Sequence, residues 1–204
     1  MMYLSRLQLN TTRTAVLWAS NPYRVHQRLM MACDGDPRLL FRIEDTSEGT
    51  QVLVQSHVEP NWQLALADFA VLRCPPEYKP FDLRLEAGRL YRFRLLANPT
   101  VKKKNDDGKP YRLGLIQEAD QLAWLTRKLA DAGVKLASCC VVMPRGLQHS
   151  DKNPAKDERA ATHLAVLFEG VLQAQDPARL KALIESGVGS AKGFGFGLLS
   201  LALA

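Results

Sequence analysis

The sequence predicts an α+β protein built from two copies of a β-α-β-β-α-β unit. Three observations lead to this prediction. Short segments with the alternating apolar pattern of strands recur along the chain, segments with apolar residues at helical spacing separate them, and Pro or Gly stands at many of the junctions. With 204 residues, of which 47% are hydrophobic, the chain has room for one large or two small domains and needs no disulfide or metal to hold a core.

The first half of the chain supplies the first unit. The predicted elements are a strand over 3–9, a helix over 21–33, strands over 39–44 and around 52–54, a helix over 62–72 and a strand over 81–85. Pro22 lies in the first turn of the first helix, where its missing N–H costs nothing. The pair Pro75-Pro76 is expected to end the second helix.

The second half repeats the order. The predicted elements are a strand over 91–95, a polar loop over 98–109, a helix over 117–132, a strand over 134–143, a long polar loop over 145–159, a strand over 164–168, a helix from 176 and a strand over 198–203. Gly133 closes the third helix, and Asp176-Pro177 opens the fourth.

Two such units make tandem ferredoxin-like (RRM-like) domains, each an antiparallel sheet with two helices on one face. The predicted domains are residues 1–87, which carry Tyr23 and His26, and residues 88–204, which carry a basic loop and a glycine-rich loop. The halves share no obvious sequence identity, so the repeat rests on element order alone. Sheets of this kind can present an open face to RNA.

The positive charge is concentrated in one stretch. The chain has 27 basic and 21 acidic residues, for a net charge of +6. Residues 89–112 hold eight basic residues against two acidic ones, so the net charge of this stretch equals the net charge of the whole chain. A localised basic excess is typical of a polyanion binder, here through Lys102, Lys103, Lys104, Lys109 and Arg112; the alternative is a solvated Lys-rich loop.

Other classes of protein are disfavoured. No apolar run approaches the ~18 residues of a membrane span, and the start of the chain turns polar too early for a signal peptide, so we expect a cytoplasmic protein. The four cysteines show no C-x-x-C spacing and the four histidines are scattered, which predicts reduced cysteines, no disulfide partner and no metal. We expect no cofactor.

The first predicted helix carries a candidate catalytic pair. Tyr23 and His26 are three residues apart and share one face, while Arg24 and Arg28 share a neighbouring one. A histidine can give or take a proton near neutral pH, a tyrosine hydroxyl can orient an attacking hydroxyl, and arginines can hold a phosphate. The alternative is that Tyr23 and His26 belong to the edge of the core.

The end of the chain carries a glycine-rich segment, Gly187–Gly197, with five glycines in eleven residues. Gly193 and Gly195 allow close approach of backbone N–H groups to a phosphate, and Lys192 adds charge. The segment lacks the Gly-Lys-Ser/Thr of a nucleotide-binding loop, so it favours RNA backbone over a nucleotide. The alternative is a flexible connection.

Together these features resemble the CasE family, the CRISPR repeat-processing endoribonucleases of type I-E systems. The matching motifs are Met2-Tyr3-Leu4-Ser5, Tyr23-x-x-His26-Gln27, Leu95-x-Ala97-Asn98-Pro99, Trp124-Leu125-x-Arg127-Lys128 and Gly189-x-Ala191-Lys192-x-x-Gly195-x-Gly197-Leu198-Leu199-Ser200-Leu201. They cover essentially the whole chain in the same order.

The resemblance implies a tandem ferredoxin-like protein that binds the repeat hairpin of precursor CRISPR RNA, cuts at its 3′ base without metal and stays bound as a Cascade subunit. Tyr23 and His26 match the catalytic tyrosine and histidine of the family. Some relatives use a lysine near the catalytic helix, but this chain has none before Lys79. A transition-state cation is therefore left to Arg24, to Arg28, to a lysine of the second half such as Lys192, or to no residue at all. A non-catalytic RNA-binding subunit is the alternative function.

Overall fold

The computed structural model describes the backbone of residues 1–150 and 161–204, and the side chains of residues 1–142 and 162–204. The chain divides into two compact units. Unit 1 contains residues 1–83 and 192–198, and unit 2 contains residues 84–148, 162–191 and 199–204. The predicted domain boundary after residue 87 stays a prediction.

Unit 1 contains one four-stranded sheet. Its elements are β1 (Met2–Gln8), α1 (Arg13–Ala19), α2 (Pro22–Ala32), β2 (Leu40–Thr46), β3 (Gly49–Ser56), α3 (Trp62–Leu66) and β4 (Glu77–Phe81), followed much later in the chain by a 3₁₀ turn over Lys192–Phe194. The strand order is β2-β3-β1-β4, and all neighbours are antiparallel. This is the predicted arrangement of a β-α-β-β-α-β unit, with β2 at one edge.

One face of this sheet forms the core of unit 1 with the helices. In β2 and β3, Phe41 and Val54 are directly paired and lie on the same face. They belong to one buried cluster with Val25 and Leu29 of α2, and with Trp18 of α1. Because successive side chains of a strand point to opposite faces, Arg42 lies on the other face of the sheet from Phe41.

Two elements of unit 1 differ from the sequence-based prediction, and one was missed. The helix predicted over 62–72 ends at Leu66, because Leu72 forms a bridge with Leu9 and the chain there runs beside the end of β1. The strand predicted over 81–85 lies earlier, at β4, where pairing with β1 fixes it. The additional helix, α1, begins after Thr12, whose side chain accepts a hydrogen bond from the Ala15 N–H.

Unit 2 repeats the arrangement with one insertion. Its elements are β5 (Leu90–Ala97), β6 (Thr100–Lys104), β7 (Pro110–Gly114), α4 (Glu118–Ala130), β8 (Val134–Ser150), β9 (Ala161–Ala174), α5 (Pro177–Ser186) and β10 (Leu199–Leu203). The main sheet has the order β10-β5-β9-β8, and β6 and β7 form a separate two-stranded sheet. Trp124 of α4 stacks on Phe168 of β9 with ring centroids 6.3 Å apart, and both side chains are buried.

Two loops predicted in the second half differ from the structure. The polar loop over 98–109 instead contains β6 and the turn of a β6–β7 hairpin. The loop predicted over 145–159 is wrong for residues 145–150, because β8 continues to Ser150, and the rest of that prediction lies outside the described residues.

Some sequence-based exclusions can be compared directly with the structure. In the described parts of the chain, no helix is long and apolar enough to cross a membrane. All four cysteines, Cys33, Cys74, Cys139 and Cys140, are free thiols.

Candidate catalytic site

Helix α2 presents Tyr23 and His26 on one side. Asn21 begins the helix by accepting a hydrogen bond from the Arg24 N–H at 3.4 Å, and Pro22 occupies the first turn. Val25 and Leu29 are fully buried in the core and fix the rotation of the helix about its axis. Tyr23 and His26 are consequently half-buried at the edge of that core, with part of each side chain accessible.

The turn Lys192–Phe194 packs against this side of α2. A Cβ atom built on Gly193 would lie 3.5 Å from Nε2 of His26, so the glycine backbone lies directly beside the imidazole. The ring of Phe194 stacks on Tyr23, with centroids 6.3 Å apart and planes 29° apart. The structure thus brings together a pair near the start of the sequence and a turn near its end.

Phe41 of β2 lies beneath both segments. Its ring centroid is 6.1 Å from that of His26. A Cβ atom on Gly195 would lie 3.3 Å from Cε2 of Phe41, and Gly195 has a φ of +86°, a conformation that other residues rarely adopt. A residue without a side chain is therefore required at position 195, because the chain passes close over Phe41 with a positive φ.

Burial lowers the pKa values of two basic groups at the site. Desolvation lowers the pKa of the His26 imidazole from its ordinary value of 6.5, which favours the neutral form of the ring. Desolvation also lowers the pKa of the Lys192 ammonium group. A neutral imidazole can accept a proton from a hydroxyl, and a partly desolvated ammonium interacts strongly with a phosphate.

The two arginines of α2 do not join this cluster. Arg24 and Arg28 are each two residues from His26, a spacing that puts side chains on different sides of a helix. Arg28 donates a hydrogen bond to the Ala65 carbonyl at 2.9 Å, lies 3.6 Å from the Asp68 carboxylate and covers the ring of Phe69 at 4.6 Å. Arg28 is thus occupied in holding α2 to the residues around α3.

The predicted basic stretch lies in unit 2, on the β6–β7 hairpin. Lys102 is paired across the strands with Arg112, and Lys103 with Tyr111. The five predicted basic residues are all exposed, as is Tyr111: Lys102, Lys103, Lys104, Lys109 and Arg112. Like charges directly opposite each other destabilise a sheet, and a bound polyanion would neutralise them.

Sequence analysis missed Phe41 and Phe194 as parts of the site. Phe41 fits the apolar alternation of a strand, and this pattern predicts only that it is a core residue. Phe194 stands among the glycines, and an aromatic residue in such a segment is a signal that could have marked it. In the described residues, no group of three or more His, Cys, Asp or Glu side chains is arranged to hold a metal ion.

Comparisons with known proteins show the family of this chain. A family model described as CRISPR associated protein matches residues 2–202. The chain is 36% identical to the CRISPR-associated endoribonuclease Cse3 of Thermus thermophilus, over 98% of this chain and 100% of the relative. It is 34% identical to the CRISPR system Cascade subunit CasE of Escherichia coli, over 98% of this chain and 99% of the relative.

Solved structures of CRISPR-associated proteins are also similar to this chain. The structure of Thermus thermophilus Cse3 bound to an RNA representing a pre-cleavage complex has a TM-score of 0.80 and 34% identity, with 98% of both chains covered. The crystal structure of Cas6e from Escherichia coli has a TM-score of 0.73 and 29% identity, with 100% of both chains covered. The tandem ferredoxin-like fold is confirmed, and the chain belongs to the CasE family of CRISPR-associated proteins.

Proposed function

We propose that this protein is an endoribonuclease that binds the hairpin of a CRISPR repeat transcript, cuts the RNA at the 3′ base of the hairpin and stays bound as a Cascade subunit. Two relatives at 36% and 34% identity carry the names endoribonuclease and Cascade subunit. The observation that carries the proposal is the packing of the Lys192–Phe194 turn against Tyr23 and His26. A cytoplasmic location, where transcripts are made, is part of this proposal.

The proposed reaction uses the nucleophile of the substrate itself. The 2′-oxygen next to the scissile phosphate bonds to phosphorus as it loses its proton, and the bond from phosphorus to the 5′-oxygen breaks as that oxygen gains one. The products are a 2′,3′-cyclic phosphate and a 5′-hydroxyl. Such a reaction requires alignment and proton transfer, which side chains can supply without a metal ion.

His26 is the group that we propose to transfer the proton. Its lowered pKa supports the role of base toward the 2′-hydroxyl, because the neutral form is the one that accepts a proton. Tyr23, on the same side of α2, is placed to orient the reacting hydroxyl through its own. The transition state gains negative charge, and the position of Lys192 in the turn beside His26 supports Lys192 as the cation there, rather than Arg24 or Arg28.

The alternative is an RNA-binding subunit that does not cut. The exposed basic hairpin would serve such a protein equally well, whereas a half-buried histidine beside a glycine turn would not be required. Incubating the purified protein with repeat RNA in excess EDTA separates the two functions. We expect one cut at the 3′ base of the hairpin; binding without any cut, with or without added Mg²⁺, would support the alternative.

The hydroxyl of Tyr23 is expected to contribute less than His26. In Tyr23→Phe the ring can keep its stack on Phe194, and only the hydroxyl is lost. We expect the single-turnover cleavage rate to fall about tenfold, which corresponds to about 1.4 kcal/mol of lost transition-state hydrogen bonding. Tyr3→Phe, which removes an exposed hydroxyl 3.5 Å from Glu59, is the matched control. A wild-type rate for Tyr23→Phe would remove Tyr23 from the reaction.

The basic hairpin is expected to bind phosphates of the RNA. Each contact releases condensed counterions, so affinity should fall steeply as salt increases. Replacing Lys102, Lys103 and Lys104 with alanine should flatten the plot of log K against log[salt] by roughly 2–3 units, close to one per lost contact. The loss should be similar for hairpins of different stem sequence, because phosphate contacts do not read bases.

A second triple variant controls for the change in net charge. Lys79, Lys135 and Lys181 lie outside the hairpin, so replacing them with alanine removes the same charge elsewhere. This control should change the salt slope by less than about one unit. Equal slopes for both triple variants would show that the hairpin lysines do not contact phosphates.

A further inference from the structure

The edge strand β2 contacts residues 192–198, the end of the glycine-rich segment with Leu198 added, through side chains on both faces of the strand. Segment 192–198 belongs to unit 1, although it comes from the end of the chain. The strand β2 lies at the edge of its sheet, so a chain can pass over its free side. Phe41 and Arg42, neighbours in β2, contact different parts of this segment from opposite faces.

Phe41 makes the contact on the helix side. Its fully buried ring lies against His26 and beneath Gly195, and the turn beginning at Lys192 is on this side. This contact is apolar and fits the close passage of a glycine. It sets the height of the segment above β2, but a contact with one ring does not by itself stop the segment from sliding along the strand.

Arg42 makes the contact on the opposite face. Its Nη1 donates a hydrogen bond to the Leu198 carbonyl at 2.8 Å, and its Nε donates to the Glu44 carboxylate at 2.7 Å. The other carboxylate oxygen of Glu44 accepts a hydrogen bond from Gln51 at 3.0 Å. Arg42 and Glu44 are buried, so both charges have lost most of their contact with water.

A buried ion pair is a costly way to stabilise a fold, since apolar residues of similar volume are often as good or better. An arginine in such a pair does fix the directions of its hydrogen bonds, because the N–H groups of the planar guanidinium point at set angles. Here one acceptor is a carboxylate of the sheet and the other is a backbone carbonyl at the end of the glycine segment. This geometry is better suited to holding the segment in place than to stabilising the core, and we call the hydrogen bonds of Arg42 to Glu44 and to the Leu198 carbonyl the clamp.

We propose that Arg42 is a positioning residue of the catalytic site: held by Glu44, it fixes Leu198 at the edge of β2 and so keeps Gly193 packed against His26. The segment is then anchored at its end by Arg42 and supported in its middle by Phe41. Its role in catalysis rests on the function proposed above, whereas the anchoring of the segment does not.

The decisive variant removes both charges of the Arg42–Glu44 pair together. Arg42→Met combined with Glu44→Leu replaces the ion pair by apolar side chains, which such sites tolerate. Arg42→Lys is the second variant, because it keeps the positive charge but loses the planar fork. We expect the double variant to fold, to bind the hairpin within about threefold of wild type and to cut about 10- to 100-fold more slowly in single turnover, since small misplacements have effects of this size. Arg42→Lys should give an intermediate rate.

The pKa of His26 in the RNA-free protein, measured by NMR, separates positioning from stability. Loosening the segment exposes the imidazole to water, so its pKa should rise toward 6.5 in the double variant. Among the described residues, the titratable groups on this side of α2 and on the packed turn are Tyr23 and Lys192, and both are retained. The strand β2, which packs against His26 through Phe41, carries Arg42 and Glu44 on its other face, and the double variant removes their opposite charges together. Val71→Ala, a cavity variant in the core of unit 1, controls for lost stability and should leave this pKa unchanged.

The outcomes assign success or failure separately to each proposal. A raised His26 pKa together with slower cutting supports the clamp. A double variant with wild-type rate and wild-type His26 pKa overturns it, and so does a lower rate with an unchanged pKa, which would leave Arg42 a role in stability alone. If wild-type protein does not cut RNA, the proposed function fails, and the pKa measurement still decides whether Arg42 anchors the segment.

Discussion

Replacing His26 with alanine is expected to lower the single-turnover cleavage rate by about 10²–10⁴, the size of effect typical for a group that transfers a proton. Binding of the hairpin should stay within about threefold of wild type, because the phosphate contacts that we propose lie on the β6–β7 hairpin and do not involve His26. The half-buried imidazole beside Gly193 makes this the side-chain replacement with the largest expected effect. Gel assays of cleavage at saturating protein, with binding measured in parallel, check both parts.

Another histidine of unit 1 provides the control. His57 lies 3.7 Å from the buried Asp36 carboxylate and is not part of the candidate site. His57→Gln should leave the single-turnover rate near that of wild type. Full cleavage by the His26→Ala variant would mean that another group transfers the proton, and the assignment of the site to α2 would be lost.

Removing the 2′-hydroxyl of the scissile nucleotide is expected to abolish cutting. In the proposed reaction this hydroxyl is the nucleophile, so a 2′-deoxy substitution at that one position leaves nothing to attack the phosphorus. Binding should be unaffected, because one hydroxyl contributes little beside the many phosphates of a hairpin. Single-turnover assays with the singly substituted RNA measure this directly.

The matched control is a 2′-deoxy substitution at the nucleotide on the 3′ side of the cut. That RNA should be cut at a rate close to that of the unmodified RNA. Cutting of the RNA that lacks the scissile 2′-hydroxyl would require an external nucleophile such as water, and the proposed mechanism would then be wrong.

Local signals predicted most of the fold because they act within a few residues. Asn21-Pro22 and Asp176-Pro177 begin helices in the structure as expected, with both Asn21 and Asp176 accepting capping hydrogen bonds. The three-residue spacing of Tyr23 and His26 likewise predicted their shared side of α2 correctly, because helix geometry alone determines it.

Features that depend on distant partners were not predictable in this way. The strand β4 is placed by pairing with β1, which overrode the alternating pattern over 81–85. The packing of the Lys192 turn against α2 joins distant parts of the chain. The hydrogen bond from Arg42 to the Leu198 carbonyl also joins residues far apart in the sequence. In the sequence, Arg42 is one charged residue in an alternating strand, and nothing local shows that it is buried.

Arg24 and Arg28 illustrate the same limit. Their spacing predicted a shared helix face correctly, but not which neighbour would take up that face. In the structure Arg28 contacts Ala65, Asp68 and Phe69, so tertiary packing determines what its charge does. RNA binding by Arg24 and Arg28 stays a prediction.

The most direct test of the central claim, that side chains of this protein alone direct attack by the 2′-hydroxyl of the RNA, is the chemical identity of the new ends formed in excess EDTA. Mass spectrometry of both fragments after incubation with wild-type protein gives this in one experiment. We predict a 2′,3′-cyclic phosphate on the upstream fragment and a 5′-hydroxyl on the downstream one. A 5′-phosphate on the downstream fragment, or cutting that occurs only when Mg²⁺ is restored, would contradict the account.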